Sequence, residues 1–176
     1  MLELEGELPE VFLQPGEVYL ARKPTIIRTI LGSCVGVTFW NARLGVGALC
    51  HALLPRCPKN PTLNLSLPTG RRYVDFSITD LARQFDQLGA LRPEVQIKVF
   101  GGADVLPVND AASARATVGR QNCETAIEVL RSEGFGIIAS SLGGTCGRSI
   151  QFHTGTGDVL LRWLSRAVFE EGIDGL

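Results

Sequence analysis

The chain has 176 residues, of which 45% are apolar and 20% charged, enough to build a sizeable core within one domain. Its 17 basic residues nearly cancel its 18 acidic ones, so no net field points to nucleic acid or an anionic surface, and a partner must be chosen by local shape. The first 20 residues have neither a basic start nor a continuous apolar run, and no stretch offers the roughly 20 apolar residues of a membrane span, so a soluble, cytoplasmic protein without membrane insertion is expected.

Taken in chain order, Pro15-Gly16-Glu17 reads as a turn, followed by short β-prone runs at Val18–Ala21 and 25–29. Leu31-Gly32-Ser33-Cys34 is a break of small residues. Beyond it, Val35, Val37 and Phe39 share one face of a strand, and Asn41-Ala42-Arg43 turns the chain into a second run, so that 34–54 reads as a hairpin. Residues 55–72 carry four prolines and no steady period, which marks a long loop that flanks the site or is mobile. Val74, Ile78, Leu81, Phe85 and Leu88 then recur at helical spacing, with Asp75 or Ser77 as N-cap and Gly89 as the stop.

A strand at 95–100 ends in Gly101-Gly102, where the lack of a Cβ admits close approach of backbone or ligand. A second helix is expected from Val118-Gly119 to Glu133, burying Cys123, Ala126, Ile127 and Leu130 and stopping at Gly134. Strands at 136–140, 149–153 and 158–164 follow, the last two joined by Thr154-Gly155-Thr156-Gly157. The order β-β-β-β-α-β-α-β-β-β implies an α+β domain of layered elements spanning 1–176, with 1–11 and 165–176 as loosely ordered ends.

The five cysteines, Cys34, Cys50, Cys57, Cys123 and Cys146, are odd in number, irregular in spacing and free of any CxxC, so no disulfide framework, metal site or cofactor is expected. Each taken singly reads as a small buried hydrophobe. A metal set of Cys34, Cys50, His51 and Cys57 is opposed by strand alternation, which points Cys50 and His51 to opposite faces.

Context singles out Cys34. A free thiol of pKa about 8.5 is only a few per cent thiolate at neutral pH, so a nucleophilic cysteine needs a base in reach; a partner that lowered the pKa to about 6 would make most of it thiolate. His153 falls with Ser149 and Gln151 on the wetter face of its strand. His51 stands seventeen residues after Cys34 on the returning strand of the hairpin, which brings the two side chains near each other. The alternative is a core histidine satisfied by a carbonyl. Gly32 and Ser33 allow the backbone N–H groups of Ser33 and Cys34 to turn inward and hold an oxyanion, or else form an ordinary turn.

At these residues the sequence resembles the CheD family, the chemoreceptor glutamine deamidases. The resemblance runs over about residues 12–164 and rests on Leu31-Gly32-Ser33-Cys34-Val35-Gly36-Val37, on 45–55 with Cys50-His51 at its centre, on Tyr73-Val74-Asp75, on Lys98-Val99-Phe100-Gly101-Gly102-Ala103, and on Gly143-Gly144 with Gly147-Arg148. It implies a layered α/β sandwich of mixed sheet with two flanking helices, like that of bacterial toxin deamidases. It also implies Cys34 as nucleophile, His51 as acid/base and a supporting threonine. The family's threonine stands six residues before the cysteine, where this chain has Arg28; Thr29, one residue later, is the candidate, its alternative being a structural strand threonine. Two further departures, Ser141-Leu142-Gly143 and Arg120-Gln121-Asn122, replace an Asp before the glycine pair and an Arg-Asn pair, and no role is assigned to them.

The activity implied is conversion of glutamine side chains on methyl-accepting chemotaxis receptors to glutamate through a cysteine thioester, without a cofactor. The rival is a regulatory module that docks on receptors or on a CheC-type phosphatase without turnover. Proteolysis by the same cysteine is a third reading.

Overall fold

The computed structural model describes residues 7–59, 67–105 and 117–165. Two sheets form the frame. β2 (Val18–Ala21), β4 (Val35–Asn41), β5 (Val46–Ala52), β6 (Gln96–Gly101) and β7 (Ile137–Leu142) make a five-stranded sheet in the order β2-β5-β4-β6-β7, while β1 (Glu10–Phe12), β3 (Ile26–Leu31), β8 (Arg148–His153) and β9 (Val159–Trp163) make a four-stranded one in the order β1-β3-β8-β9. Both are mixed, since β6 with β7 and β1 with β3 run parallel and the other pairs antiparallel. The expected α+β class is thus present, with a few helices: α1 (Leu67–Gly70), α2 (Val74–Gln87) and α3 (Val118–Ser132), plus one 3₁₀ turn at Arg92–Glu94.

Strand alternation sorts the core into two layers. Val35, Val37 and Phe39 of β4 and Val46, Ala48, Cys50 and Ala52 of β5 face α2 and α3, and the Phe39 ring packs on Phe85 at 5.5 Å and edge-on to Phe135 at 5.2 Å. The opposite face meets the four-stranded sheet through Leu49 and Phe100, against Leu13, Ile27, Leu31, Ile150 and Phe152. Burying each such side chain contributes about 1.5–3 kcal/mol. The long loop contains α1; its residues 60–66, like 1–6 and 166–176 of the expected loose ends, lie outside the described residues. β1 begins within the stretch expected to be loose and runs one residue past it, paired in parallel with β3.

Two helix details correct the sequence reading. Neither Asp75 nor Ser77 is the N-cap of α2: that position is Tyr73, while Asp75 in the first turn accepts the Cys57 N–H and Ser77 donates to the Arg71 carbonyl. α3 is also rotated from the expected face. Asn122, Ala126, Val129 and Leu130 point inward, whereas Ile127 is 36% exposed and Cys123 only partly covered. The stops are as expected, Gly89 and Gly134 taking φ of 79° and 80° just past the last turns.

The strand end at Gly101-Gly102 abuts the Cys34 turn. Gly101 has φ of 107°, and a Cβ there would collide with the Cys34 carbonyl oxygen; one on Gly102 would strike the Cys123 sulfur. Behind them the fully buried Arg148 donates to the carbonyls of Ser141 and Gly143 and stacks on Trp163 at 4.7 Å, while the Gly143 N–H and the Gly144 carbonyl bond to Gly101 and Asp104. No helix among the described residues is long and apolar enough to cross a membrane.

The rotation of α3 sets an expectation for stability. Leu130→Ala should cost about 2–5 kcal/mol by cavity formation, and Ile127→Ala less than about 1 kcal/mol. Urea denaturation of the two variants measures the contrast, and equal losses would contradict the orientation described.

Candidate active site

The β4–β5 hairpin forms as expected, in a register that places Gly36 opposite His51 and Val35 opposite Ala52. Cys50 and His51 therefore leave opposite faces: Cys50 enters the helix-facing core, and His51 the layer between the sheets. Cys34, in the turn just before β4, packs partly buried against that inter-sheet core. Thr29 enters the same layer from β3 of the other sheet. Thr29 and His51 are thereby joined by a hydrogen bond, and Cys34 packs against the same layer. His153 sits half-buried at the far end of β8, bonded through Nδ1 to the Thr156 N–H. Among the described residues no cluster of three or more His, Cys, Asp or Glu is placed to hold a metal ion.

One hydroxyl sets the state of the imidazole. Thr29 Oγ1 lies 2.8 Å from the Leu13 carbonyl oxygen and 2.8 Å from His51 Nδ1. A carbonyl can only accept, so the single Thr29 proton goes to Leu13, and Nδ1 must carry the ring proton and donate it to Thr29. Nε2 is left as a bare lone pair, buried and without a hydrogen-bond partner among the described residues. The backbone of His51 is clamped as well, its N–H on the Glu17 carbonyl and its carbonyl on the Gly16 N–H.

Burial keeps both candidate reactants neutral. It pulls His51 down to about 4, partly opposed by the Leu13 carbonyl, and pushes the Cys34 thiol up to about 11, partly opposed by its own backbone N–H. This corrects the expectation of a thiol lowered toward neutrality: no hydrogen bond joins Cys34 to His51, so the imidazole does not offset desolvation of a thiolate and the backbone N–H does so only in part. A gap of this size makes proton transfer in the resting site unfavourable by about 10 kcal/mol at most, before the attraction of the new charges is counted.

The turn carrying Cys34 is held by its carbonyls. The Gly102 N–H donates to Cys34 O at 2.8 Å, the Ala103 N–H to Gly32 O at 2.9 Å, and the Asn122 Nδ2 to Ser33 O at 2.9 Å. The Ser33 and Cys34 N–H groups meet no carbonyl or side-chain oxygen of the described residues. A cleft of about 290 Å³ opens beside Ser33, lined also by Ala103, Asp104, Thr117 and Gly119.

Residues 53–163 match the family described as CheD chemotactic sensory transduction. The chain belongs to the CheD family. It is 42% identical over 160 residues to a probable chemoreceptor glutamine deamidase CheD 2 of Geobacter sulfurreducens, covering 91% of this chain and 93% of that one. Proteins named probable chemoreceptor glutamine deamidase CheD from Maridesulfovibrio salexigens and Rhodospirillum rubrum are 34% and 36% identical, with 96% and 93% of this chain and 100% and 87% of theirs covered. The family match begins two residues past His51, but the Geobacter alignment leaves too few residues outside it to miss Thr29, Cys34 or His51.

Strand parity separates the two candidate positions on β3. Arg28 points outward from β3 to pair with Glu10, so of the two neighbouring positions only Thr29 can face His51. Asn122 was missed by sequence reading. Its signal was the spacing of Gly119, Asn122, Ala126 and Val129, which puts it on the buried face of α3.

In the resting CheD chain, iodoacetamide labelling of Cys34 should rise about tenfold per pH unit from neutrality toward pH 11, since the thiolate alone reacts. Mass mapping of the labelled cysteines measures the rate. A plateau already reached near pH 6 would mean a preformed thiolate–imidazolium pair.

Proposed function

We propose that this CheD chain is a cysteine-dependent deamidase that converts receptor glutamine side chains to glutamate. The observation that carries the reading is the relay from Leu13 through Thr29 to His51, which leaves Nε2 unprotonated on the side of the sheet where Cys34 packs. The names of the relatives, each a probable chemoreceptor glutamine deamidase, support the same substrate.

In this mechanism Nε2 takes the Cys34 thiol proton as sulfur attacks the glutamine carboxamide carbon, so neither charge forms alone in the buried site. The Ser33 and Cys34 N–H groups meet the oxyanion. Collapse breaks the carbon–nitrogen bond, and ammonia leaves with the proton from His51. The thioester that remains is attacked by water, whose proton returns to Nε2; expulsion of sulfur gives glutamate, and the proton passes back to Cys34. Glutamine and water yield glutamate and ammonia, with no cofactor. The receptors are then substrates, and a CheC-type phosphatase is a regulatory partner. The arrangement of two sheets and a helical layer supports the likeness to toxin deamidases.

Cys34→Ala should abolish ammonia release from receptor fragments and the one-dalton mass gain of deamidation while leaving the fold intact. Turnover retained in that variant would sink the mechanism, and receptor binding without turnover in the parent would assign the chain to docking instead. Thr29→Val removes the acceptor that holds the Nδ1 proton and should lower kcat about ten- to a hundredfold, whereas Thr29→Ser should stay near the parent. Steady-state ammonia release compares them, and equal rates in all three would deny Thr29 its role.

A further inference from the structure

Asn122 is fully buried on α3, and its Nδ2 donates to two carbonyls, Ser33 O and Leu53 O, each at 2.9 Å. Both partners are acceptors, so the amide cannot be flipped without setting Oδ1 against two oxygens. The bonds join the turn that carries Cys34 to the residue two past His51 across the mouth of the hairpin. Oδ1 itself is buried without a partner among the described residues, so the side chain is placed for what Nδ2 does.

In a trans peptide the carbonyl and the following N–H point in opposite directions. Drawing Ser33 O toward α3 therefore turns the Cys34 N–H away from α3, to the side where the Cys34 thiol packs between the sheets, and that N–H faces its own sulfur. The flanking carbonyls of Gly32 and Cys34 are bonded to the backbone of Ala103 and Gly102, so among the described residues the Ser33–Cys34 peptide is the one plane of the turn whose direction depends on a side chain. We propose that Asn122 is a positioning residue that aims the Cys34 N–H at the oxyanion formed when Cys34 attacks an acyl carbon. The inference rests on the deamidase reading above, but its test does not need a receptor.

The probe is p-nitrophenyl acetate, which acylates Cys34 through a tetrahedral oxyanion and releases nitrophenolate, with the Cys34→Ala protein as background. Iodoacetamide, which alkylates the same sulfur at a saturated carbon without an oxyanion, is the control. Asn122→Ala and Asn122→Ser should slow acylation at least about tenfold per folded molecule, with alkylation of Cys34 within about threefold of the parent. Unchanged acylation, or equal losses in both reactions, would overturn the proposal by leaving Asn122 a clamp alone. So would failure of both variants to fold. A parent that acylates no faster than background overturns this inference and the deamidase reading together; one that acylates but never deamidates a receptor overturns the latter only.

Discussion

The Thr29 hydroxyl is the point on which the site depends. It spans the layer between the two sheets, one of which supplies Thr29 and the other His51, and it accepts from the imidazole only because its own proton is committed to Leu13. That layer is otherwise lined by Leu31, Leu49, Phe100, Ile150 and Phe152, where an unpaired polar group is costly. The contact therefore stabilises the approach of the sheets and fixes the protonation pattern of the ring.

The same dry surroundings shape the chemistry. A cysteine and a histidine in water would share a proton readily, but here each is held in its neutral form by the cost of desolvating a charge. In the proposed reaction attack and proton transfer are thus coupled, and the groups that hold the developing negative charge matter more than thiolate content. The Cys34 turn fits that demand, since its carbonyls are tied to Gly102, Ala103 and Asn122 and its N–H groups are left facing elsewhere.

Much of this was legible from residue order. Period-two alternation separated Cys50 from His51, the small residues before Cys34 marked the turn, and Gly101-Gly102 marked a close approach that proved to be the Cys34 carbonyl. What was not legible depended on contacts distant in sequence. The three residues of β1 carry too short a pattern to register, and they form a strand only because β3 lies beside them. The phase of α3 was misjudged because Cys123 and Ile127 look more apolar than Asn122, whose burial is repaid by two carbonyls on other elements. The raised Cys34 pKa likewise follows from burial, which spacing does not reveal.

The bonds that assemble the site join residues 16, 22, 69 and 89 positions apart in the chain. None can form in an isolated hairpin, and each closes a loop whose entropy must be met before the contact is gained. A partly folded chain with only the β4–β5 hairpin would hold Cys34 and His51 in register yet lack the tautomer set by Thr29 and the turn held by Asn122. The contacts around Cys34 are therefore complete only when both sheets and α3 have docked, so in the proposed reading the nascent chain carries a thiol not yet equipped to react.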